Sequence, residues 1–251
     1  TRQFYDAINE QLNQTVFGEH AAFLNYGYVA DESPQHAQLE LPTHLVNRTS
    51  AKLVLELIGD CDLAGRHLLD VGCGRGGTLL VVDQYFAAAS KTGVDLSSAA
   101  IAYCRRAYAG RPMSFVEGDA EQLPFAGGSY DVVTNLESSH SYPDILSFYR
   151  EVHRLLRPGG RFLYSDVFAP ATFASHLQAL RDLGFTLDQD RDITANVLRS
   201  CMETAARRSQ VFDATPQREV IAEFLSTPGS GVFEEMRSGR ASYRILRLAR
   251  H

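Results

Sequence analysis

Short apolar runs alternate along most of this chain with longer stretches in which hydrophobic and polar residues recur at helical spacing. The apolar runs predict strands at residues 67–71, 91–95, 113–117, 130–136 and 160–166. Between them, helices are predicted to begin at Gly77 and Ser97 and to span 144–156. Strands rich in Val, Leu and Ile that alternate with helices are typical of a parallel sheet covered on both faces. The pattern therefore predicts an α/β fold.

The two ends of the chain are less regular. Before the first strand, the pattern predicts helices over residues 3–17 and 43–58, separated by an aromatic-rich segment. After the fifth strand it predicts, in order, a helix at 172–183, a strand at 185–192, a helical region at 194–227 and a strand at 242–249. Ligands of open α/β sheets bind beyond the carboxyl ends of the strands, so the N-terminal segment and the late helical region are predicted to form a lid there. We expect a single domain, divided into a lid segment (1–42), a cofactor-binding core (43–192), a helical lid insertion (193–240) and a final strand (241–251).

Composition limits the functions to be considered. The chain has 251 residues, 45% of them hydrophobic, which suffices for one α/β domain with a full core. Its net charge is −6 and its basic residues are scattered, which argues against nucleic acid as a partner. The four cysteines are widely spaced, as reduced thiols of a cytoplasmic protein are, and no apolar run is long enough to span a bilayer. We expect a cytoplasmic protein with no membrane span.

A glycine-rich turn, DVGCGRGG at residues 70–77, follows the first predicted strand. Its glycines lack the Cβ atoms that would keep a ligand away from the main chain, and the next helix presents unpaired N–H groups to a ligand above the turn. Asp95 ends the next strand. This position also fits a dinucleotide site, in which an acidic residue about 20 residues after the glycine turn holds the ribose. Asp119, after the third strand, adds an acceptor where an adenine amino group would lie, and this third motif favours a different nucleoside cofactor.

In this order and spacing, the motifs resemble the class I S-adenosylmethionine-dependent methyltransferase family over residues 45–168. The resemblance implies S-adenosylmethionine as cofactor and a Rossmann-like, doubly wound sheet of seven mostly parallel strands with an antiparallel last strand. It also implies that the glycine turn approaches the methionine part and that Asp95 binds the ribose hydroxyls. Leu96 would pack on the adenine, whose edge Asp119 and the Ala120 amide would read. The implied cofactor-binding residues are Asp70, Gly72, Cys73, Gly74, Asp95, Leu96, Asp119, Ala120 and Asn135.

The stretch NLESSHSYP at residues 135–143 follows the fourth predicted strand, where an acceptor would meet the methyl donor. It lacks the Asn/Asp-Pro-Pro-Tyr string typical of nucleobase methyltransferases. It contains His140, whose imidazole suits general-base catalysis, and Asp166 ends the fifth predicted strand at the same sheet edge. The stretch resembles that of bacterial O-methyltransferases of secondary metabolism and complex lipids, including rebeccamycin-type sugar, phthiotriolone and polyketide-macrolide enzymes. This resemblance implies His140 as general base and Asp166 as its supporting carboxylate.

The predicted acceptor is a hydroxyl group of a bulky natural product, such as a polyketide, macrolide or glycoside. Tyr26, Tyr28, Glu137 and Tyr142 are the candidates to contact it. The remaining histidines form no ligand set, so we expect no catalytic metal. Two alternatives stay open, namely C-methylation coupled to cyclisation of a terpenoid or indole-type substrate, and a cofactor-bound cyclase that transfers no methyl. Assembly into a homo-oligomer through the N-terminal helix also stays open.

Overall fold

The computed structural model describes residues 2–14, 21–30, 41, 45, 47–212 and 223–251. Within these ranges the strands β1 to β7 are His67–Val71, Ser90–Asp95, Ser114–Glu117, Tyr130–Leu136, Leu156–Phe168, Phe185–Asp192 and Ser242–Arg250. The helices α1 to α8 are Arg2–Gln14, Arg48–Ile58, Gly77–Tyr85, Ser98–Ala107, Ile145–Leu155, Pro170–Asp182, Thr194–Phe212 and Gly231–Arg237. A short 3-10 turn, Ser139–Ser141, lies between β4 and α5.

The strands form one sheet in the order β3-β2-β1-β4-β5-β7-β6. Neighbours from β3 through β5 pair in parallel, whereas β7 runs antiparallel to both β5 and β6. This arrangement confirms the predicted Rossmann-like sheet, including its antiparallel last strand. From β1 the chain first builds outward to β3 and then returns to add β4 on the other side. The crevice beyond the carboxyl ends of β1 and β4 is therefore the switch point at which such sheets bind ligands.

The strands β1 and β4 at the centre of the sheet are buried along most of their length, which explains why apolar residues dominate them. The adjacent residues Leu68 and Leu69 of β1 belong to different hydrophobic clusters, and Val132 and Val133 of β4 divide in the same way. Successive side chains of a strand point to opposite faces, so each cluster occupies one face of the sheet. Helices α2, α3 and α4 contribute to the first cluster, and α5 and α6 to the second.

Several predicted boundaries shift in the structure. The fifth strand extends to Phe168 because β7 pairs with it as far as Ser242, so Asp166 lies inside the strand rather than at its end. The helical region predicted at 194–227 is α7 up to Phe212, and residues 213–222 lie outside the described part of the chain. Parts of the helices predicted at 3–17 and 43–58 also fall outside it, and the described portions are α1 and α2.

Within the described ranges, no helix combines the length and the apolar character needed to cross a bilayer. The same residues contain no group of three or more His, Cys, Asp or Glu side chains arranged to hold a metal ion.

Candidate active site

The glycine turn after β1 lies directly against the loop after β4. The main-chain N–H groups of Gly72 and Cys73 both donate to the carbonyl oxygen of Val94 in β2, at 2.9 and 3.0 Å. Gly72 has a φ of 70°, and a Cβ atom there would overlap the hydroxyl of Ser138. The residue must therefore be glycine on two grounds, its left-handed backbone and the close approach of the second loop.

Asp95 connects the glycine turn to the loop after β2. Its Oδ2 accepts a hydrogen bond from the Gly74 N–H at 2.8 Å, and its Oδ1 accepts one from the Ser97 N–H at 2.8 Å. Burial raises the pKa of Asp95 above its ordinary value, although these hydrogen bonds oppose the shift. The carboxylate is thus fixed at the edge of the cavity, where it can accept further bonds from a ligand.

A cavity of about 720 Å³ lies beyond the carboxyl ends of β1, β2, β3 and β4. Its lining includes residues from the turn after β1, the loops after β2 and β3, and the segment after β4. It also includes residues 22–26 of the N-terminal segment, Tyr5 and Asn9 of α1, and Glu223, Phe224 and Val232 from the last part of the chain. The predicted cofactor residues on this wall are Gly72, Cys73, Gly74, Asp95, Leu96, Asp119 and Ala120.

Charge distinguishes between the two cofactor classes that the glycine turn left open. Carboxylates line the described part of the cavity at Asp95, Asp119, Glu121, Glu137 and Glu223. Arg75 is the one arginine or lysine among the described lining residues, and its guanidinium bonds to α1 and to the carbonyl oxygen of Ala21. Such a wall suits a positively charged sulfonium nucleoside and opposes the pyrophosphate of a dinucleotide. The residues present therefore fit S-adenosylmethionine.

His140 and Asp166 form a hydrogen-bonded pair next to this cavity. His140 Nδ1 lies 2.7 Å from Asp166 Oδ1, and the main-chain N–H of His140 donates to Oδ2 at 3.0 Å. The hydroxyl of Ser139 also donates to Oδ2, at 2.5 Å. The side chain of Asp166 is 1% exposed and that of His140 is 41% exposed, and only His140 lines the cavity. Because Nδ1 is engaged by the carboxylate, Nε2 is the ring nitrogen left for a ligand.

The pair shifts the pKa of both members towards the charged forms. Attraction to the Asp166 carboxylate raises the pKa of His140 to about 9, against the opposing effect of burial. Burial alone would raise the pKa of Asp166, but His140 and the surrounding hydrogen bonds hold that pKa below its ordinary value. His140 is therefore protonated at neutral pH in the ligand-free protein. A cationic ligand in the same cavity would lower the pKa of the imidazole again.

Comparison with known proteins places the chain in a family. A sequence profile described as a methyltransferase domain matches residues 69–164. The chain is 36% identical over 226 residues to the fatty-acid O-methyltransferase of Mycolicibacterium smegmatis, covering 89% of this chain and 81% of that protein. It belongs to the class I S-adenosylmethionine-dependent methyltransferases. It is also 34% identical over 237 residues to the phthiotriol/phenolphthiotriol dimycocerosates methyltransferase of Mycobacterium tuberculosis, covering 93% of this chain and 87% of that protein.

A solved structure supports the fold of this methyltransferase. The geranyl diphosphate C-methyltransferase of Streptomyces coelicolor A3(2), in complex with Mg²⁺, geranyl diphosphate and S-adenosyl-L-homocysteine, has a TM-score of 0.70 and 20% sequence identity. The match covers 99% of this chain and 98% of that one. At this identity the likeness concerns the fold and not the substrate.

Four of the residues predicted for the methyltransferase site lie outside the cavity lining, namely Asp70, Asn135, Tyr28 and Asp166, the partner of His140. Asp70 is buried in β1, where its Oδ1 accepts a hydrogen bond from the Thr134 hydroxyl at 2.7 Å. Asn135 lies beneath the loop after β4, and its amide donates to the Val71 carbonyl oxygen at 2.9 Å. Both residues therefore bond to the strands behind the cavity wall and are not part of the wall itself. Tyr28, predicted to contact the acceptor, is buried outside the cavity lining, with the Arg191 guanidinium over its ring.

The other predicted acceptor residues line the cavity and also hold the loop after β4. Both carboxylate oxygens of Glu137 accept a hydrogen bond from the Tyr26 main-chain N–H at 3.0 Å, and one also accepts from the Tyr243 hydroxyl at 2.5 Å. Glu137 has a φ of 51°, an uncommon value for a residue with a side chain, and it marks the sharp turn out of β4. The hydroxyl of Tyr142 lies 2.9 Å from that of Ser138.

The sequence predicts that the N-terminal segment covers the methyltransferase site, but it does not indicate which residues of α1 make the contacts. The Tyr5 hydroxyl lies 2.5 Å from the Ser141 hydroxyl, next to His140, and Asp6 accepts a hydrogen bond from the Ser97 hydroxyl at 2.6 Å. Arg75 was also missed, although a charged residue between two glycines of a ligand-binding turn is a signal that the sequence does contain.

Proposed function

We propose that this methyltransferase transfers a methyl group to a hydroxyl group of a bulky, largely apolar natural product in secondary metabolism. When bound, S-adenosylmethionine supplies an electrophilic methyl group on a positively charged sulfur. The glycine turn and Asp95 would hold the methionine and ribose parts, and Asp119 with Ala120 the adenine. Their position on one cavity wall with His140 supports this assignment.

The pairing of His140 with Asp166 carries the proposal. A hydroxyl acceptor must lose its proton during methyl transfer, and a positioned base typically contributes about 10²–10⁴-fold to the rate. Nε2 of His140 is the atom we assign to remove that proton, while Asp166 orients the ring through Nδ1 at 2.7 Å. Asp166 is buried and accepts several hydrogen bonds, so it stabilises the imidazolium that forms and keeps its own negative charge.

The charge on the cavity wall supports a neutral acceptor over an anionic one. The carboxylates at Asp95, Asp119 and Glu137 would repel a fatty-acid carboxylate or a diphosphate. The one lysine or arginine of the described lining, Arg75, is already engaged by the N-terminal segment. One observation favours a carboxylic acid as second candidate, since a protonated His140 would attract a carboxylate. The fatty-acid O-methyltransferase from Mycolicibacterium smegmatis is a relative whose name matches that candidate.

Mass spectrometry with a deuterated methyl donor distinguishes these acceptors. The purified protein would be incubated with a panel of matched apolar alcohols and acids, including macrolides, polyketide alcohols, glycosides and long-chain fatty acids. We expect a trideuteromethyl ether that survives mild alkaline hydrolysis. A product lost on alkaline hydrolysis indicates a methyl ester and contradicts the hydroxyl assignment. A methyl group on carbon, or a cyclised product without added mass, would support the C-methyltransferase or the cyclase alternative instead.

A further inference from the structure

Arg75 is an almost fully buried cation of the cofactor turn whose guanidinium is bound by the N-terminal segment. It stands between Gly74 and Gly76 and is 1% exposed. Its Nε donates a hydrogen bond to the carbonyl oxygen of Ala21 at 2.7 Å, and its Nη1 donates to Asn13 Oδ1 at 2.9 Å. Its guanidinium carbon lies 3.5 Å from the centre of the Tyr103 ring. One side chain of the cofactor turn therefore contacts two parts of the N-terminal segment.

Residues 21–26, which we call the strap, form one wall of the cofactor cavity. Residues 22–26 all line the cavity. The strap also lies on the first turn of α3, where a Cβ atom at Gly77 would overlap the Phe23 ring and come within 2.7 Å of the Ala22 carbonyl oxygen. The strap and the glycine turn are thus neighbours in space, and they contribute to the same cavity wall.

The two ends of the strap are held by different elements. At the carboxyl end, the Tyr26 N–H donates to Glu137, and the Tyr26 carbonyl oxygen accepts a hydrogen bond from the Ser200 hydroxyl of α7 at 2.8 Å. Just beyond it, the Val29 carbonyl oxygen accepts a hydrogen bond from the Asn196 amide at 2.9 Å. At the amino end, the bond from Arg75 to Ala21 joins the strap to the cofactor turn.

We propose that Arg75 is a positioning residue that holds the amino end of the strap against the cofactor turn and thereby slows release of the cofactor. The carboxyl end is held by Glu137 of the loop after β4 and by α7, so the amino end is where the strap would lift. The planar guanidinium has donors on separate nitrogens, so it can bond to Ala21 and Asn13 at the same time. A lysine has a single nitrogen and suits this pair of acceptors less well. This role of Arg75 concerns binding of the family's cofactor and is independent of which acceptor is methylated.

The Arg75→Met variant tests this directly. Hydrogen–deuterium exchange of the ligand-free protein should rise at residues 21–25 and stay unchanged in β5. Dissociation of S-adenosylhomocysteine, measured by stopped-flow displacement, should accelerate by about tenfold, the effect of losing one hydrogen bond from a charged donor. Arg75→Lys should give an intermediate rate. Arg105→Met is the matched control, because Arg105 donates to the Phe115 carbonyl oxygen outside the cavity lining, and it should leave both measurements unchanged.

A second variant decides the question if Arg75→Met does not fold. Asn13 is exposed on α1 and accepts a hydrogen bond from Arg75 Nη1, so Asn13→Ala removes one of the bonds that hold the guanidinium beside Ala21 without disturbing the interior. We expect faster dissociation of S-adenosylhomocysteine and faster exchange of the strap, each by less than in Arg75→Met. An unchanged dissociation rate in the folded variants would overturn the proposal. Faster exchange spread evenly over the strap and β5 would also overturn it, because Arg75 would then act only on general stability.

Discussion

His140 and Asp166 are joined twice, through Nδ1 to Oδ1 at 2.7 Å and through the His140 main-chain N–H to Oδ2 at 3.0 Å. The second bond fixes the backbone of the loop after β4 against β5, and the first then fixes the ring on that backbone. The carboxylate is buried while the ring borders the cavity. The arrangement leaves Nε2 as the ring atom available for proton transfer, and its consequences are measurable.

Replacing His140 should slow turnover without weakening cofactor binding. We expect His140→Ala to reduce kcat by about 10²–10⁴-fold, the range for removal of a general base. The dissociation constant for S-adenosylhomocysteine, measured by calorimetry, should change little. His153→Gln is a suitable control, because His153 packs on Phe185 away from the cavity. Turnover of His140→Ala close to that of the unmodified protein would remove His140 from the mechanism.

Replacing Asp166 should move the pH dependence of the reaction. Asp166 raises the pKa of His140 to about 9, so kcat/KM of the unmodified protein should rise with pH until the imidazole has lost its proton. In Asp166→Asn the attraction is lost, and this rise should occur at lower pH, nearer the ordinary value for histidine of about 6.5. The pH profile of kcat/KM checks the shift. An acidic limb at the same pH in both proteins would show that another group controls it.

Replacing Asp95 should weaken cofactor binding. Its carboxylate accepts hydrogen bonds from the Gly74 and Ser97 N–H groups and borders the cavity, so its loss removes a ligand contact and loosens the turn. We expect Asp95→Ala to raise the dissociation constant for S-adenosylhomocysteine by about ten- to a hundredfold, the effect of losing hydrogen bonds to a charged group. Titration calorimetry measures it.

The matched control for Asp95 is Asp83→Asn, since Asp83 pairs with Lys91 and Arg111 outside the cavity lining. Asp83→Asn should bind S-adenosylhomocysteine as the unmodified protein does. A protein that bound NADH and ignored S-adenosylhomocysteine would contradict the assignment of the whole site.

The individual strands and the cofactor turn could be predicted from the sequence because each depends on residues close together in the chain. The antiparallel pairing of β7 with β5 joins distant residues and was implied only by the family resemblance. The apolar run of a buried strand is a local pattern, and so are the glycines at 72 and 74. The strap could not be predicted in this way. Its contacts join Ala21 to Arg75 and Tyr26 to Glu137, and no spacing within either segment reports on such distant partners. The same limit applies to Tyr28, which lies outside the cavity lining, since which aromatic side chains face a cavity depends on elements far along the chain.

Replacing Asp70 should change how stability depends on pH. Its carboxyl group is 2% exposed, and among the described residues its Oδ2 has no hydrogen-bond partner. Burial raises the pKa of Asp70 to about 7 from an ordinary value of 3.8. Between these values the folded protein keeps a proton that the unfolded chain has lost, so stability falls as pH rises through this window. Asparagine does not ionise, so Asp70→Asn removes this pH-dependent loss of stability.

We therefore expect the free energy of unfolding of Asp70→Asn, relative to the unmodified protein, to increase between pH 5 and pH 8. Urea unfolding at both pH values measures the difference. Asp144→Asn is the control, because hydrogen bonds with Ser147 lower the pKa of that exposed carboxyl. Asp144 is ionised at pH 5 and at pH 8 in both the folded and the unfolded protein. Its replacement should therefore change the free energy of unfolding by the same amount at both pH values. An equal difference at both pH values for Asp70→Asn would mean that Asp70 stays ionised inside the folded protein, stabilised by its hydrogen bond from Thr134.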